Sequence, residues 1–250
     1  MPLHRFSRTE LLIGTEGLTT LADKHVMICG IGGVGSYAAE ALGRSGVGRI
    51  TLVDFDDICQ TNINRQIHAL SSTVGRHKVD VMAERLRDIN PAATITPVRE
   101  FFSKENADRL LVPRPDYVLD AIDHFTAKTA LITICRQQGI PIISSMGAAN
   151  KLDPTKIEVS DISSSRNCRM ARSMRRILKE SGITSGVQVD YSTELHRELA
   201  PARPPNTDTA REQTVNEEYR RVILGSIAYI PSIFGLTMAG VVINELLKPD

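Results

Sequence analysis

The chain has 250 residues, 42% apolar and 24% charged, with a formal net charge of +1. That is enough for one sizeable domain with a substantial core. The near-neutral balance excludes a surface that is basic all over, so any nucleic-acid contact must come from a local patch. The four cysteines, Cys29, Cys59, Cys135 and Cys168, form no C-x-x-C pair, which argues against zinc and against a disulfide framework. The first residues lack an apolar signal core, so a reducing cytoplasmic setting fits.

His25–Ile31 predicts a strand running into Gly30-Ile31-Gly32-Gly33-Val34-Gly35, and Ser36–Leu42 a helix. Arg49–Asp54 gives the next strand and closes a βαβ unit of about 30 residues. A helix is expected near Arg76–Asn90, stopped by Pro91. Strands at Ile95–Val98 and Tyr117–Ile122 follow with a helix between them, then a helix at Thr126–Gln138 and a strand at Ile140–Ser145. This alternation predicts a Rossmann-like, doubly wound α/β fold with a mostly parallel sheet.

Past about residue 150 the pattern loosens. There the reading is a strand at Lys156–Ser160, a helix near Asn167–Ser181 and a strand at Val187–Thr193, as an extension completing the sheet. A Pro-rich loop (Pro201–Pro205) then leads into a polar stretch to Arg221, expected to be a mobile loop. Val222–Asn244 carries no charged residue and is long enough to span a membrane. Its glycines and Pro231 equally suit a short strand (225–230) and a buried helix starting at Pro231, the reading adopted here. The whole is taken as a single domain, with residues 1–150 as nucleotide-binding core and 151–250 as a substrate-facing extension.

Gly30-x-Gly32-x-x-Gly35 follows a strand and opens a helix, with Asp54 nineteen residues beyond the last glycine. Glycines permit a tight turn, helix N-terminal N–H groups favour phosphates, and Asp54 can accept from ribose hydroxyls. This predicts a nucleotide without separating NAD from ATP. The polar segment Asp54–Gln66 sits at the carboxyl edge of the sheet, where such folds bind ligands. A triphosphate attacked at its α-phosphorus needs cations for the departing pyrophosphate, and Arg65 and Lys78 supply two, with Asn62 a neutral donor. An ordinary polar loop and a solvated lysine is the alternative. Asp123, just past a strand end, suits either magnesium (Mg2+) or a helix N-cap, while Asp120 reads as buried and hydrogen-bonded.

Gly-Ile-Gly-Gly-Val-Gly-Ser (30–36), Val-Asp-Phe-Asp (53–56), Asn-Ile-Asn-Arg-Gln (62–66), Gly-Arg-His-Lys (75–78) and Asp-Ala-Ile-Asp (120–123) occur in this order. Over residues 5–150 the chain therefore resembles the ubiquitin-activating-like adenylating enzymes, which include the molybdopterin-synthase and thiamine-pathway adenylyltransferases. The resemblance implies ATP held by Gly30, Gly32, Gly33, Gly35, Asp54, Asp56, Asn62, Arg65 and Lys78, with Mg2+ on Asp123. It implies catalytic roles for Arg65, Lys78, Asp123 and Arg8, the last reaching the partner subunit's ATP in a homodimer.

Asn64–Leu70, Met170-Ala171-Arg172, Tyr191–Glu194, Gly225-Ser226-Ile227 and Pro231-Ser232 extend a closer resemblance, to the branch that dehydrates N6-threonylcarbamoyladenosine in tRNA. In that branch His124 stands where serine or asparagine is usual. The implied chemistry is adenylation of a threonyl carboxylate followed by intramolecular ring closure, which needs no enzyme nucleophile. Two rivals stand beside it: adenylation of the C-terminal glycine of a ubiquitin-like protein, which needs an acyl-accepting cysteine, and a non-catalytic NAD-sensing module.

Residues 162–179 hold six basic side chains and no acidic one. On a helix Arg169, Arg172, Arg176 and Lys179 share a face, with Arg175 beside them, while Met170, Met174, Ile177 and Leu178 share another. The stripe is either a solvated surface or a patch for tRNA phosphates near the anticodon loop. The sequence leaves open whether a structural monovalent cation (Na+ or K+) holds loops and whether a cysteine-desulfurase system docks.

Overall fold

The computed structural model describes residues 3–195, 197 and 224–249. Its strands are β1 (His25–Cys29), β2 (Arg49–Val53), β3 (Thr94–Val98), β4 (Tyr117–Asp120), β5 (Ile142–Ser145), β6 (Ile157–Asp161) and β7 (Gln188–Ser192). They form one sheet in the order β3-β2-β1-β4-β5-β7-β6. All neighbours are parallel except β6, which runs antiparallel to β7. Every residue of β1 is buried, because a central strand covered by helices on both faces has no solvent side.

The helices are α1 (Ser7–Asp23), α2 (Gly35–Ser45), α3 (Lys78–Ile89), α4 (Lys104–Leu110), α5 (Phe125–Gln138), α6 (Arg169–Glu180) and α7 (Tyr229–Leu246). Two cores result, one on each face of the sheet. Met27, Val118, Leu131, Met174 and Val189 pack beneath α5 and α6, and Ile28, Leu42, Leu52, Met82 and Met238 beneath α2, α3 and α7. The mostly parallel, doubly wound fold read from the sequence is the fold observed, and β6 and β7 complete the sheet at one edge.

Two elements differ from expectation. Helix α1 went unread: Leu11 and Leu12 are exposed, Gly17 and Leu21 buried, and Gly14 breaks the helix with φ 71°, so no single apolar stripe marks it. The strand expected over 225–230 is not formed. Gly225 pairs its N–H and C=O with Asn150, at 2.7 and 2.9 Å, and Ser226 O accepts from Asn64 at 3.1 Å. Side-chain and loop partners thus replace a neighbouring strand, and the helix begins at Tyr229. Pro231 still falls in the first turn, where no intrahelical N–H partner is required.

Helix α7 has the length and apolarity to cross a membrane, yet half of it is buried in the fold. A Cβ at Gly235 would lie 2.2 Å from Val34 O, so the helix packs backbone to backbone on α2 as a core element. The Pro-rich and polar loop expected over 201–221 lies outside the described residues.

Candidate active site

The glycine turn is dictated by close contacts. Gly30 has φ 91°, and a Cβ there would meet Ala121 O at 2.6 Å; one at Gly35 would meet Gly30 O at 1.8 Å. Only glycine lets β1 fold back this tightly into α2. No side chain caps the N-terminus of α2; Ser36 N donates to Gly32 O at 3.1 Å, and the end of the helix dipole there favours an anion. Above Gly33 lie Pro231 and the stem of Arg65, 3.1 and 3.4 Å from where a Cβ would sit.

Asp54 leaves β2 beside this turn. Its Oδ2 accepts from Ile31 N at 2.6 Å and its Oδ1 from Asp56 N at 2.9 Å. A carboxylate offers about four lone-pair sites, so ribose hydroxyls still find acceptors there. Burial pushes this carboxyl up from the usual range, against the pull of the Lys78 ammonium. Lys78 opens α3 and is buried; its Nζ sits 2.7 Å from Asp56 Oδ2 and 4.0 Å from Asp54 Oδ1. This corrects the solvated-lysine alternative. It also pairs Asp56, expected to touch the nucleotide, with the Lys78 ammonium.

The segment after β2 carries the other phosphate candidates. Asn62 ends a 3₁₀ turn (Gln60–Asn62) and is buried; its Oδ1 accepts from Cys59 N at 3.1 Å. Arg65 Nη1 donates to Thr61 O and to Asn64 Oδ1, both at 2.9 Å. Arg65 thus lies over Gly33 and Asp54 on Ile31 of the glycine turn, with Lys78 behind Asp54.

On the other side β4 ends in Asp120, which is fully buried. Its Oδ2 accepts from Lys128 Nζ at 2.8 Å and from Ser144 Oγ at 2.6 Å, and its Oδ1 from Ile122 N at 3.1 Å. Lys128 also donates to Ser145 O at 2.8 Å, lacing β4 to β5. Asp123, three residues beyond Asp120, is exposed. It does not cap α5; His124 does, its Nδ1 accepting from Ala127 N at 3.4 Å. That removes the N-cap alternative for Asp123 and answers what His124 does.

Sequence reasoning missed an aromatic chain here. Phe55 meets Phe101 edge-on with centroids 5.3 Å apart, and Phe101 meets His124 the same way at 5.3 Å. Phe55 and Phe101 remain partly exposed, a surface on which a purine can pack. The signal was available: Phe55 directly follows Asp54 at the carboxyl edge of β2.

Arg8 stands apart from this pocket. It is exposed in the first turn of α1, at the opposite end of the sheet: Arg5 Nη1 donates to Ile89 O at the end of α3 and Phe6 lies against Gly46 at the end of α2. In α6, Arg169, Arg172, Arg176 and Lys179 are exposed, while Ala171, Met174 and Leu178 are buried. Arg175 differs from the stripe. Its Nη1 donates to Ile162 O and to Ser165 O and Oγ, so it braces the preceding turn rather than facing solvent with the others.

A glycine turn, a buried carboxylate and two cations thus lie near one edge of the sheet. The model of the ThiF family matches residues 6–250. The chain belongs to the ThiF family. Among proteins of similar sequence is a tRNA threonylcarbamoyladenosine dehydratase of Bacillus subtilis, 45% identical over 98% of this chain and 96% of its own. The Escherichia coli tRNA N6-threonylcarbamoyladenosine dehydratase in complex with AMP superposes with a TM-score of 0.86 at 36% identity, covering 97% of this chain and 94% of that one. Its complex with ATP gives 0.84 at 37% identity, covering 97% and 93%. This ThiF-family chain is thus similar throughout its length, extension included, to proteins with those names.

Proposed function

We propose that this chain is an ATP-dependent tRNA threonylcarbamoyladenosine dehydratase, activating the threonyl carboxylate of N6-threonylcarbamoyladenosine in a tRNA anticodon loop. The similarity to the Bacillus subtilis dehydratase carries the reading: it holds at 45% identity over 98% of this chain, against 33% over 72% of it for the molybdopterin-synthase adenylyltransferase of Salmonella typhimurium. The carboxylate attacks the α-phosphorus of ATP, giving an acyl-adenylate and releasing pyrophosphate. The carbamoyl oxygen then closes a five-membered ring on the acyl carbon and expels AMP, which carries off the carboxylate oxygen; the net loss is one water.

The roles follow from the pocket. Asp54 receives the ribose, the N-terminus of α2 and the Arg65 and Lys78 cations receive the phosphates, and Asn62 adds a neutral donor. Charge that builds on departing pyrophosphate is met by groups already in place. Asp123 would hold magnesium, which takes one or two carboxylates together with phosphate oxygens; an exposed carboxylate at a strand end, not spent on capping, fits that demand. Ring closure within one molecule has an effective molarity of roughly 10⁵ M or more when well oriented. No acyl-accepting cysteine is needed. Cys29, Cys135 and Cys168 are buried, and Cys59 alone is exposed among them.

Within this proposal residues 1–150 form the ATP-binding core and 151–250 face the tRNA through Arg169, Arg172, Arg176 and Lys179. A second copy completes each site: Arg8 is too distant to serve its own pocket, and the exposed Leu11 and Leu12 beside it suit burial against a partner. We place the enzyme in the cytoplasm. Calorimetry with Mg·ATP and with NAD tests the pocket: uptake of Mg·ATP is expected, and tight NAD uptake with no heat from Mg·ATP would overturn the proposal.

A further inference from the structure

Asn64 is exposed, where an asparagine ordinarily meets water. Here both halves of its carboxamide are engaged. Oδ1 accepts from Arg65 Nη1 at 2.9 Å, and Nδ2 donates to Ser226 O, far along the chain, at 3.1 Å. Ser226 is itself fixed, because the preceding Gly225 is held through N–H and C=O by Asn150, just beyond β5. Arg65 Nη1 has a second acceptor in Thr61 O at 2.9 Å. A planar guanidinium with one nitrogen held between two acceptors has its plane and heading set. Neither Nε nor Nη2 of Arg65 makes a hydrogen bond among the described residues, and the stem of the side chain lies over Gly33.

We infer that Asn64 is a positioning residue: it fixes the guanidinium of Arg65, whose stem lies over the glycine turn, and anchors it to the backbone at Ser226. The inference rests on the proposed role of Arg65 at the phosphates. The task requires one acceptor and one donor on a short rigid side chain, which a carboxamide supplies. Its value is preorganisation. Without Asn64 the arginine has to be ordered as charge develops on pyrophosphate, and that cost falls on the chemical step rather than on nucleotide binding.

The test is ATP–pyrophosphate exchange with modified tRNA, using wild type, Asn64→Ala, Arg65→Ala and the double variant. Asn64→Ala is expected to lower kcat about tenfold, the scale of one lost orienting contact, while the KM for Mg·ATP changes less than about threefold. On top of Arg65→Ala, Asn64→Ala should cost nothing further, because the group through which it acts is gone. A merely structural role predicts the opposite: a lowered Tm and the same tenfold loss in both backgrounds. That result, or an unchanged kcat in Asn64→Ala, overturns the positioning role. A wild-type chain with no exchange at all overturns the proposed function instead, so the two failures are told apart by the first sample measured.

Discussion

Replacing Lys128 by Met keeps a long unbranched stem and deletes the charge at the centre of a dry network. Lys128 has no exposed surface, and its Nζ holds Asp120 at 2.8 Å, Ser145 O at 2.8 Å and Ser144 Oγ at 3.2 Å. The variant leaves the Asp120 carboxylate buried without its cation. Breaking one side of such a pair costs about 3–5 kcal/mol, a large share of the roughly 5–15 kcal/mol that holds a domain together. For a chain of this size that is a Tm lower by about 6–20 °C. Urea unfolding followed by circular dichroism measures it. Adding Asp120→Asn removes the stranded charge while keeping an acceptor for Ile122 N, so the double variant should regain about half of the loss. A cost below about 1 kcal/mol in Lys128→Met would show that the buried pair does not hold the sheet together, and so would a double variant as unstable as the two singles combined.

Arg65→Ala and Asp123→Ala should each reduce ATP–pyrophosphate exchange by about 10²–10³-fold while unfolding curves stay near wild type; near-normal exchange in either means the pocket is misassigned. Replacing Arg172 and Arg176 together by Glu should weaken tRNA binding and flatten its salt dependence, because counterion release scales with the phosphates neutralised. Unchanged affinity across a salt series removes the patch. His68 is buried, with neither ring nitrogen partnered among the described residues, and its pKa is lowered to about 4 by burial, with Lys78 and Arg85 adding to it. Between the ordinary value near 6.5 and about 4 the unfolded chain takes the proton and the folded chain does not, so stability is lost as pH falls through that window. The loss reaches at most about 3 kcal/mol. His68→Leu should flatten the stability curve there, and an unaltered slope would show that another group titrates. Cys168 caps α6 through Sγ, accepting from Ala171 N at 3.4 Å, so Cys168→Ser, with a better capping atom, should retain activity; loss of activity on changing Cys168 or Cys59 would favour the ubiquitin-like rival.

Much of the nucleotide half was legible because its constraints are local. The turn from β1 into α2 needs glycine at Gly30 and Gly35, and Asp54 stands at a strand end that the apolar run Arg49–Val53 defines. The alternating elements then fix which edge of the sheet carries the loops. What escaped depends on contacts between distant segments. Helix α1 buries Gly17 and Leu21 but leaves Leu11 and Leu12 bare, so its periodicity is incomplete within one chain. The segment 225–230 reads as a strand by composition, yet the backbone of Gly225 and Ser226 pairs with Asn150 and Asn64. Lys128 gives no sign in sequence of lying in the core, because only the fold brings Asp120, Ser144 and Ser145 around it. Arg175 lies beside a solvent stripe by helical geometry and is drawn inward by Ser165.

The most direct measurement is mass spectrometry of the modified nucleoside after incubating the purified protein with Mg·ATP and total tRNA. An ATP-dependent loss of one water from N6-threonylcarbamoyladenosine is expected, with AMP and pyrophosphate released alongside. A nucleoside of unchanged mass, from tRNA known to carry the modification and with active Mg·ATP binding in the same sample, would contradict it.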